Sequence, residues 1–193
     1  MYKLITAPAI EPIDLTEAKA HLRVTGTDEE NLISNLIVAV RQEAENYLNR
    51  ALITQTWDYY LDEFPDDNED DDYSIIINKC PIQSISSVTY YDGDGTLQTW
   101  ATTEYKSDLV SEPCRIQLAY GKSYPTTRSD YQNAVIVRFI TGYGNYSANV
   151  PDAIKAGMYL YLSWLYDNRG DTPTSRPAKA IYDIWNNYRV LVL

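Results

Sequence analysis

The apolar residues of this chain change their spacing twice, and these changes limit the folds that it can adopt. From Asp28 to about Leu48 they recur every three or four positions, as on one face of an α-helix. From Leu52 the sequence becomes rich in threonine, isoleucine and aromatic residues, which favour strands. Helical spacing returns after Pro151. The sequence therefore predicts an α+β protein, in which helices from both ends of the chain form a bundle and a β-rich domain is inserted between them.

The predicted boundaries follow these changes. Residues 1–51 are expected to supply the N-terminal helices, the first capped by Asp14 with Glu17 and the second by Asp28. Residues 150–193 are expected to form the C-terminal helices and tail, with Pro151 and Pro177 at helix starts. The β-rich domain is expected at 52–149, with strands at 52–61, 74–78, 85–91, 97–100, 105–109, 115–120 and 134–141.

Negative charge is concentrated in one segment. The net charge is −11, which argues against a protein that grips nucleic acid through its phosphates. Eight acidic residues and no basic residue lie between positions 62 and 72, and this segment is expected to be a solvated loop. Alternatively, its acids line a passage for DNA and repel the phosphates, the candidates being Asp66, Asp67, Glu69, Asp70, Asp71 and Asp72.

The chemistry of an enzyme or a metal site is not indicated. His21 is the only histidine and has no nucleophile motif beside it. Cys80 and Cys114 lack the spacing of a zinc site, so reduced, partly buried thiols are expected. The run from Asp92 to Gly95 predicts a tight hairpin turn, because it contains Gly93 and Gly95. A calcium loop is not expected there, because its further ligands are missing. We therefore expect no catalytic residue, no metal and no cofactor.

Targeting to a membrane is not expected either. The N-terminus lacks the long apolar core of a signal peptide. No run of 18 apolar residues exists in the sequence, as a membrane-spanning helix would require.

The predicted helix at 151–168 is apolar on nearly all sides, which indicates cover from more than one direction. A neighbouring subunit is one source of that cover, and Leu160 and Trp164 are then the candidate subunit interface. An ordinary central core helix is the other interpretation.

The end of the chain, residues 176–193, combines basic residues with an apolar stripe and an apolar tail. It is a candidate docking element for a partner, since a helix laid in a groove and followed by an extended tail uses all these features. Packing back on its own bundle is the alternative. The candidate docking residues are Arg176, Ile181, Tyr182, Trp185, Tyr188, Arg189, Val190, Leu191, Val192 and Leu193.

An ordered set of segments resembles a known family. The segments are DLTEAKAHLRV at 14–24, RALITQTW at 50–57, AVIVRFITGYG at 134–144 and VPDAIK at 150–155. They resemble the head–tail connector (adaptor) proteins of long-tailed double-stranded DNA phages and gene transfer agents, in the longer form with a β-rich insertion. The acidic run is not part of this pattern.

The resemblance implies a structural role in the neck of a virion that is assembled in the bacterial cytoplasm. Subunits of this family form a ring, usually of twelve copies, below the portal protein. The ring extends the DNA channel, through which DNA passes without specific binding, and contacts the next neck protein, a stopper or tail-completion protein. The C-terminal segment reaches the portal, which here corresponds to about 176–193.

A carbohydrate-binding or glycan-hydrolysing module remains the rival hypothesis. Its active part would be the β-rich region, with its many acids and aromatic residues. No motif in the sequence supports it.

Overall fold

The computed structural model describes residues 1–65, 74–169 and 177–191. The chain divides into two compact units. The helical unit comprises Pro8–Thr54 and Tyr143–Val190, and the β unit comprises Met1–Ala7, Gln55–Gly142 and the end of the chain from Leu191. The predicted α+β class is confirmed.

Four helices form the described part of the helical unit. They are α1 (Leu15–Leu22), α2 (Glu30–Leu48), α3 (Asp152–Asp167) and α4 (Lys179–Asn186), with a short 3-10 helix at Ser147–Asn149. Helix α3 contacts all three of the other α-helices. Helix α2 does so as well, so α2 and α3 together form the centre of this unit.

The start of α1 agrees with the sequence prediction, whereas α2 starts one residue later than predicted. The predicted capping box is present: the Glu17 backbone N–H donates to the Asp14 carboxylate at 2.7 Å, and the Asp14 N–H donates to the Glu17 carboxylate at 3.2 Å. Helix α2, in contrast, begins after Glu29 rather than Asp28 and has no side-chain cap. Asp28 is of the residue type that favours an N-cap, but the helix starts one position later without a side-chain cap.

Apolar side chains from all four helices form one core. It includes Leu52 and Ile53, which the sequence had placed in a strand of the inserted domain. The strand starts only at Gln55, because Leu52 and Ile53 turn into the helical core. The fully or nearly fully buried members are Ile13, Ala18, Ile33, Ile37, Val40, Ala44, Leu48, Leu52, Ile53, Val150, Ile154, Met158, Leu162, Ile181 and Trp185.

A buried ion network lies beside this core. The Arg41 guanidinium donates to Glu11 at 2.7 Å and to Glu45 at 2.8 Å. The second oxygen of Glu45 accepts the backbone N–H of Leu52 at 2.8 Å. All these partners belong to the helical unit, and removal of one would leave a buried charge without its counterpart.

The β unit contains two antiparallel sheets. The larger has the order β1-β2-β8-β4-β5 and the smaller has the order β3-β7-β6. The strands are β1 (Tyr2–Thr6), β2 (Gln55–Leu61), β3 (Ile75–Ile77), β4 (Ile82–Tyr91), β5 (Leu97–Thr99), β6 (Tyr105–Asp108), β7 (Cys114–Leu118) and β8 (Val135–Thr141). Each predicted strand exists, with ends displaced by up to three residues.

Strand β1 corrects the prediction that residues 1–51 belong to the helices. It pairs with β2 at the edge of the larger sheet. The Tyr2 ring stacks on Tyr59 at 4.5 Å, and its hydroxyl accepts the backbone N–H of Asn78 at 2.9 Å. Five residues are too few for an alternating pattern to stand out, and the partners of this strand lie far along the sequence.

The fit between α3 and α4 gives a testable consequence for stability. A Cβ atom on Gly157 would lie 2.3 Å from the indole nitrogen of Trp185. We expect Gly157→Ala to lower the free energy of unfolding of the helical unit by about 1–3 kcal/mol, although alanine normally favours a helix interior. Urea titration followed by the helical circular dichroism signal measures the change.

Gly26→Ala is the matched control, because no atom lies within 4 Å of a Cβ placed there. It should leave stability unchanged or raise it by up to about 1 kcal/mol. Equal stability of the two variants would contradict the packing of Trp185 on Gly157.

Candidate assembly surfaces

Most of α3 is covered by the chain itself. Ile154, Met158 and Leu162 are buried, and Tyr161 and Leu165 pack against the same core. The interpretation of α3 as an ordinary central helix therefore accounts for most of its apolar surface. What remains is one line of residues at helical spacing, Ala156, Leu160 and Trp164, which we call the outer stripe.

The outer stripe exposes apolar surface outside the core of its own unit. Leu160 is 44% exposed, and Trp164 is half-buried. Neither side chain belongs to the core or to the residues that pack against it. The Trp164 indole N–H is buried and lacks a hydrogen-bond partner among the described residues. Both predicted interface residues thus lie on the side of α3 that α1, α2 and α4 leave uncovered.

The helical part of the C-terminal segment packs on its own bundle. Ile181 and Trp185 are buried in the core, and Tyr182 and Tyr188 pack against it. The Trp185 indole N–H donates to the Ile154 carbonyl oxygen at 3.1 Å. These four candidate docking residues therefore stabilise the subunit itself.

The residues after α4 are held by the end of α2. The Val190 N–H donates to the Leu48 carbonyl oxygen at 2.9 Å, and the Asn49 side chain donates to the Val190 carbonyl oxygen at 2.9 Å. Arg50 donates to the carbonyl oxygen of Tyr188. Val190 is consequently buried.

The accessible part of the docking candidate is small. Arg189 is exposed, with its guanidinium 5.0 Å from the centre of the Tyr47 ring. Leu191 is 66% exposed. Arg176, Val192 and Leu193 lie outside the described residues.

The six acids proposed to line a channel, at 66–72, also lie outside the described residues. The start of the acidic segment is described. Asp62 and Glu63 are exposed, and the Asp62 carboxylate accepts the backbone N–H of Asn133 at 2.8 Å.

The β unit contains a surface depression of about 360 Å³, which is the candidate site for the rival glycan hypothesis. Among the described residues, its lining includes Phe64, Tyr124 and one acid, Glu63, whereas glycoside hydrolysis ordinarily needs two carboxylates. Phe64 is 6% exposed and stacks on Tyr124 at 5.1 Å, and Trp100 is 4% exposed. These rings face each other and do not offer an open platform to a sugar.

Other candidate sites have structural roles. The His21 ring packs 5.0 Å from Tyr159, whose pKa is raised to about 12 by burial and by the nearby Glu17. The Asp92 carboxylate accepts the side-chain amide of Gln98 and the backbone N–H groups of Thr96 and Asp94 in the β4–β5 hairpin, and these bonds lower its pKa, the bond from Gln98 most. Within the described ranges, no group of three or more potential ligands could hold a metal ion. No helix there is long and apolar enough to cross a membrane.

Sequence analysis missed the proximity of the two cysteines. Cys80 and Cys114 are both buried, and their Sγ atoms are 3.8 Å apart. The pairing of β3 with β7 brings them together across 34 positions of sequence. No local signal reveals such a contact.

Comparison with known proteins gives a match to a family model over part of the chain and a similar fold over all of it. Residues 12–90 match the model of a family described as Phage gp6-like head-tail connector protein. A chain in a structure of the neck of an empty gene transfer agent (GTA) particle, computed with C6 symmetry, has a TM-score of 0.81 and 16% identity, covering 100% of this chain and 97% of that chain. A search of curated proteins gives no match.

Two further structures of GTA particles contain chains with the same fold. Chains from the virion of a native GTA particle and from the neck of a native GTA particle, computed with C12 symmetry, have TM-scores of 0.79 and 0.73. Each is 16% identical and covers 100% of this chain and 97% of the other. The resemblance to head–tail connector proteins is therefore confirmed.

Neighbouring residues at the end of the chain provide a matched pair of substitutions. We expect Val190→Asp to lower the free energy of unfolding by about 3 kcal/mol or more, because it places a carboxylate in the core. Leu191→Asp should change it by no more than about 0.5 kcal/mol, because that side chain is exposed. Urea titration of both variants measures the difference. Equal effects would show that Val190 is not anchored to the bundle.

Proposed function

We propose that this chain is a structural head–tail connector subunit, which forms a ring between the portal and the rest of the neck and extends the DNA channel. The observation that carries the proposal is the agreement of two comparisons. The family match spans residues 12–90, and the fold similarity to neck chains of a GTA particle extends over the whole chain. We place the protein in the neck of a virion that is assembled in the host cytoplasm.

The ring is proposed to form through the helical unit. The outer stripe supplies the apolar residues, because Leu160 is exposed and Trp164 does not pack against the core. Similar chains occur in necks computed with C6 and C12 symmetry, and a ring of twelve copies fits both. A contact of this kind is head-to-tail, so the surface that receives the stripe lies elsewhere on the next copy.

Contact with the portal is proposed for the end of the chain. The buried parts of α4 position this end, while Arg189 and Leu191 are accessible to a partner. The proposed docking element is therefore narrower than the segment 176–193. Helix α4 remains on the bundle, and the contact is made by the exposed residues Arg189 and Leu191 together with the two residues that follow. The β unit is proposed to face the next neck protein, a stopper or tail-completion protein.

The net charge of −11 is compatible with a channel protein that lets DNA pass without specific binding, since phosphates are repelled rather than held. The acids at 66–72 are proposed to face this channel. We propose no enzymatic activity. The family match and the similar chains from GTA necks support a structural role, and the described lining of the depression near Phe64 holds one acid, Glu63.

Substitution in the outer stripe tests the ring. We expect Leu160→Asp and Trp164→Asp to leave a folded subunit that enters rings at least about tenfold less well, because an unpaired carboxylate would be desolvated at each contact. The measurement is incorporation into DNA-filled heads that lack the protein, with ring images by electron microscopy.

Ile10→Asp is the control, because Ile10 is 42% exposed in the same unit and lies outside α3. It should assemble normally. Normal incorporation of the two α3 variants, with circular dichroism spectra like the wild type, would eliminate the outer stripe as the subunit contact.

A short truncation tests the docking element. Deletion of residues 191–193 retains Val190 and its hydrogen bonds to Leu48 and Asn49, so the subunit should stay folded. We expect the shortened protein to bind portal-containing heads at least about tenfold more weakly, since loss of an apolar anchor typically costs about 2 kcal/mol. Arg189→Glu, which removes the other accessible contact, should weaken binding as well. Unchanged binding of both variants would restrict this end to packing on its own bundle.

A further inference from the structure

Two thiols meet in the interior of the β unit. Cys80 is 0% and Cys114 is 1% exposed, and the distance between their Sγ atoms is 3.8 Å. This is a hydrogen-bonded contact, in which either thiol is able to donate. A disulfide bond is roughly 2.05 Å long, so the two atoms need to approach by less than about 2 Å. Cys80 lies in the connection between β3 of the smaller sheet and β4 of the larger sheet. Cys114 is the first residue of β7 in the smaller sheet.

We propose that Cys80 and Cys114 are a site of reversible oxidation, at which a disulfide forms and ties the connection between β3 and β4 to the start of β7. The bond would join segments that the structure already places together, so the rest of the unit need not move. The proposal concerns this chain's own thiols and does not depend on the proposed function.

The surroundings assign different roles to the two thiols. The pKa of Cys80 is raised by its hydrogen bond to Cys114 and by burial. The pKa of Cys114 is lowered, first because the Cys80 thiol donates to it and also because the Ile82 N–H does so. Cys114 is therefore the thiol of the pair that loses its proton more readily, and a thiolate is the form that attacks a disulfide.

The exchange reaction balances with a small disulfide, such as oxidised glutathione, as the oxidant. The Cys114 thiolate attacks one sulfur of this reagent, which forms a mixed disulfide and releases one small thiolate. Cys80 then loses its proton and attacks the Cys114 sulfur, which releases the second small thiol. The protein loses two hydrogen atoms and two electrons, and the reagent is reduced to two thiols.

The proposed route to the buried pair is the exposed turn that precedes Cys114. The preceding turn is exposed at Val110, which is 93% exposed, and at Glu112. The turn is held by the Asp108 carboxylate, which accepts the backbone N–H groups of Val110 and Ser111 at 3.1 and 3.0 Å. Local opening of a short surface turn costs far less than unfolding of the unit. Reaction in the folded state should therefore be slow but complete.

The test treats the full chain under native conditions with oxidised glutathione. We expect the intact mass to fall by about 2 Da, with a peptide map that joins Cys80 to Cys114. The free thiols measured after unfolding should fall from two to none. Cys114→Ser and Cys80→Ala serve as controls, because a single remaining thiol cannot form the internal bond.

Thermal melting of the oxidised protein distinguishes a native cross-link from a strained one. A bond that closes a loop of 34 positions should raise the Tm of the β unit by roughly 5–10 °C, and a reductant should reverse the rise. Two results would overturn the proposal. In the first, both thiols of the folded protein persist or carry only glutathione, although the unfolded chain forms the internal disulfide. In the second, the internal disulfide forms but lowers the Tm.

Discussion

The contact of Trp185 with α3 determines how the helical unit is completed. The indole is fully buried, its N–H donates to the Ile154 carbonyl oxygen, and the missing side chain of Gly157 makes room for the ring. Helix α3 also contacts α1 and α2, so this one ring joins the last helix to the centre of the bundle. The same contact positions the end of α4 and therefore the exposed Arg189 that follows it. The position of the proposed docking end is thus a consequence of core packing.

Buried ion pairs restrict the arrangements in which the helices and strands can pack. Arg41 is held between Glu11 and Glu45, and Glu45 also accepts the backbone N–H of Leu52. In the β unit, the Asp58 carboxylate accepts two bonds from Arg138, at 2.7 and 2.8 Å. Because a buried ion is costly unless each partner is in place, such networks tolerate few alternative arrangements. Leu52 therefore turns into the helical core and does not continue the strand pattern that its sequence suggests.

The sequence predicted the features that depend on local patterns. The capping box of Asp14 and Glu17 and the strand periodicity around β8 are local, and both were found. Strand β1 was missed because its stability comes from β2 and from the contacts of Tyr2, which are distant in sequence. The stripe with Trp185 was recognised, but the same spacing suits docking on a partner and packing on the subunit's own core. The space at Gly157 and the hydrogen bond from Trp185 to the Ile154 carbonyl oxygen distinguish the two, and both depend on the tertiary fold.

The amount of exposed apolar surface indicates how a ring of these subunits would form. The outer stripe consists of a small residue, one exposed leucine and one half-buried tryptophan. A stable interface buries about 800 Å² on each partner, far more than three such side chains supply. A pair of free subunits should therefore associate weakly through this stripe alone. A circular template changes this balance, because each subunit held at its docking end meets its neighbours at a high effective concentration. In the proposed ring, a narrow stripe on α3 and a separate docking end are thus complementary: the end would place the subunits, and the stripe would join subunits that are already placed.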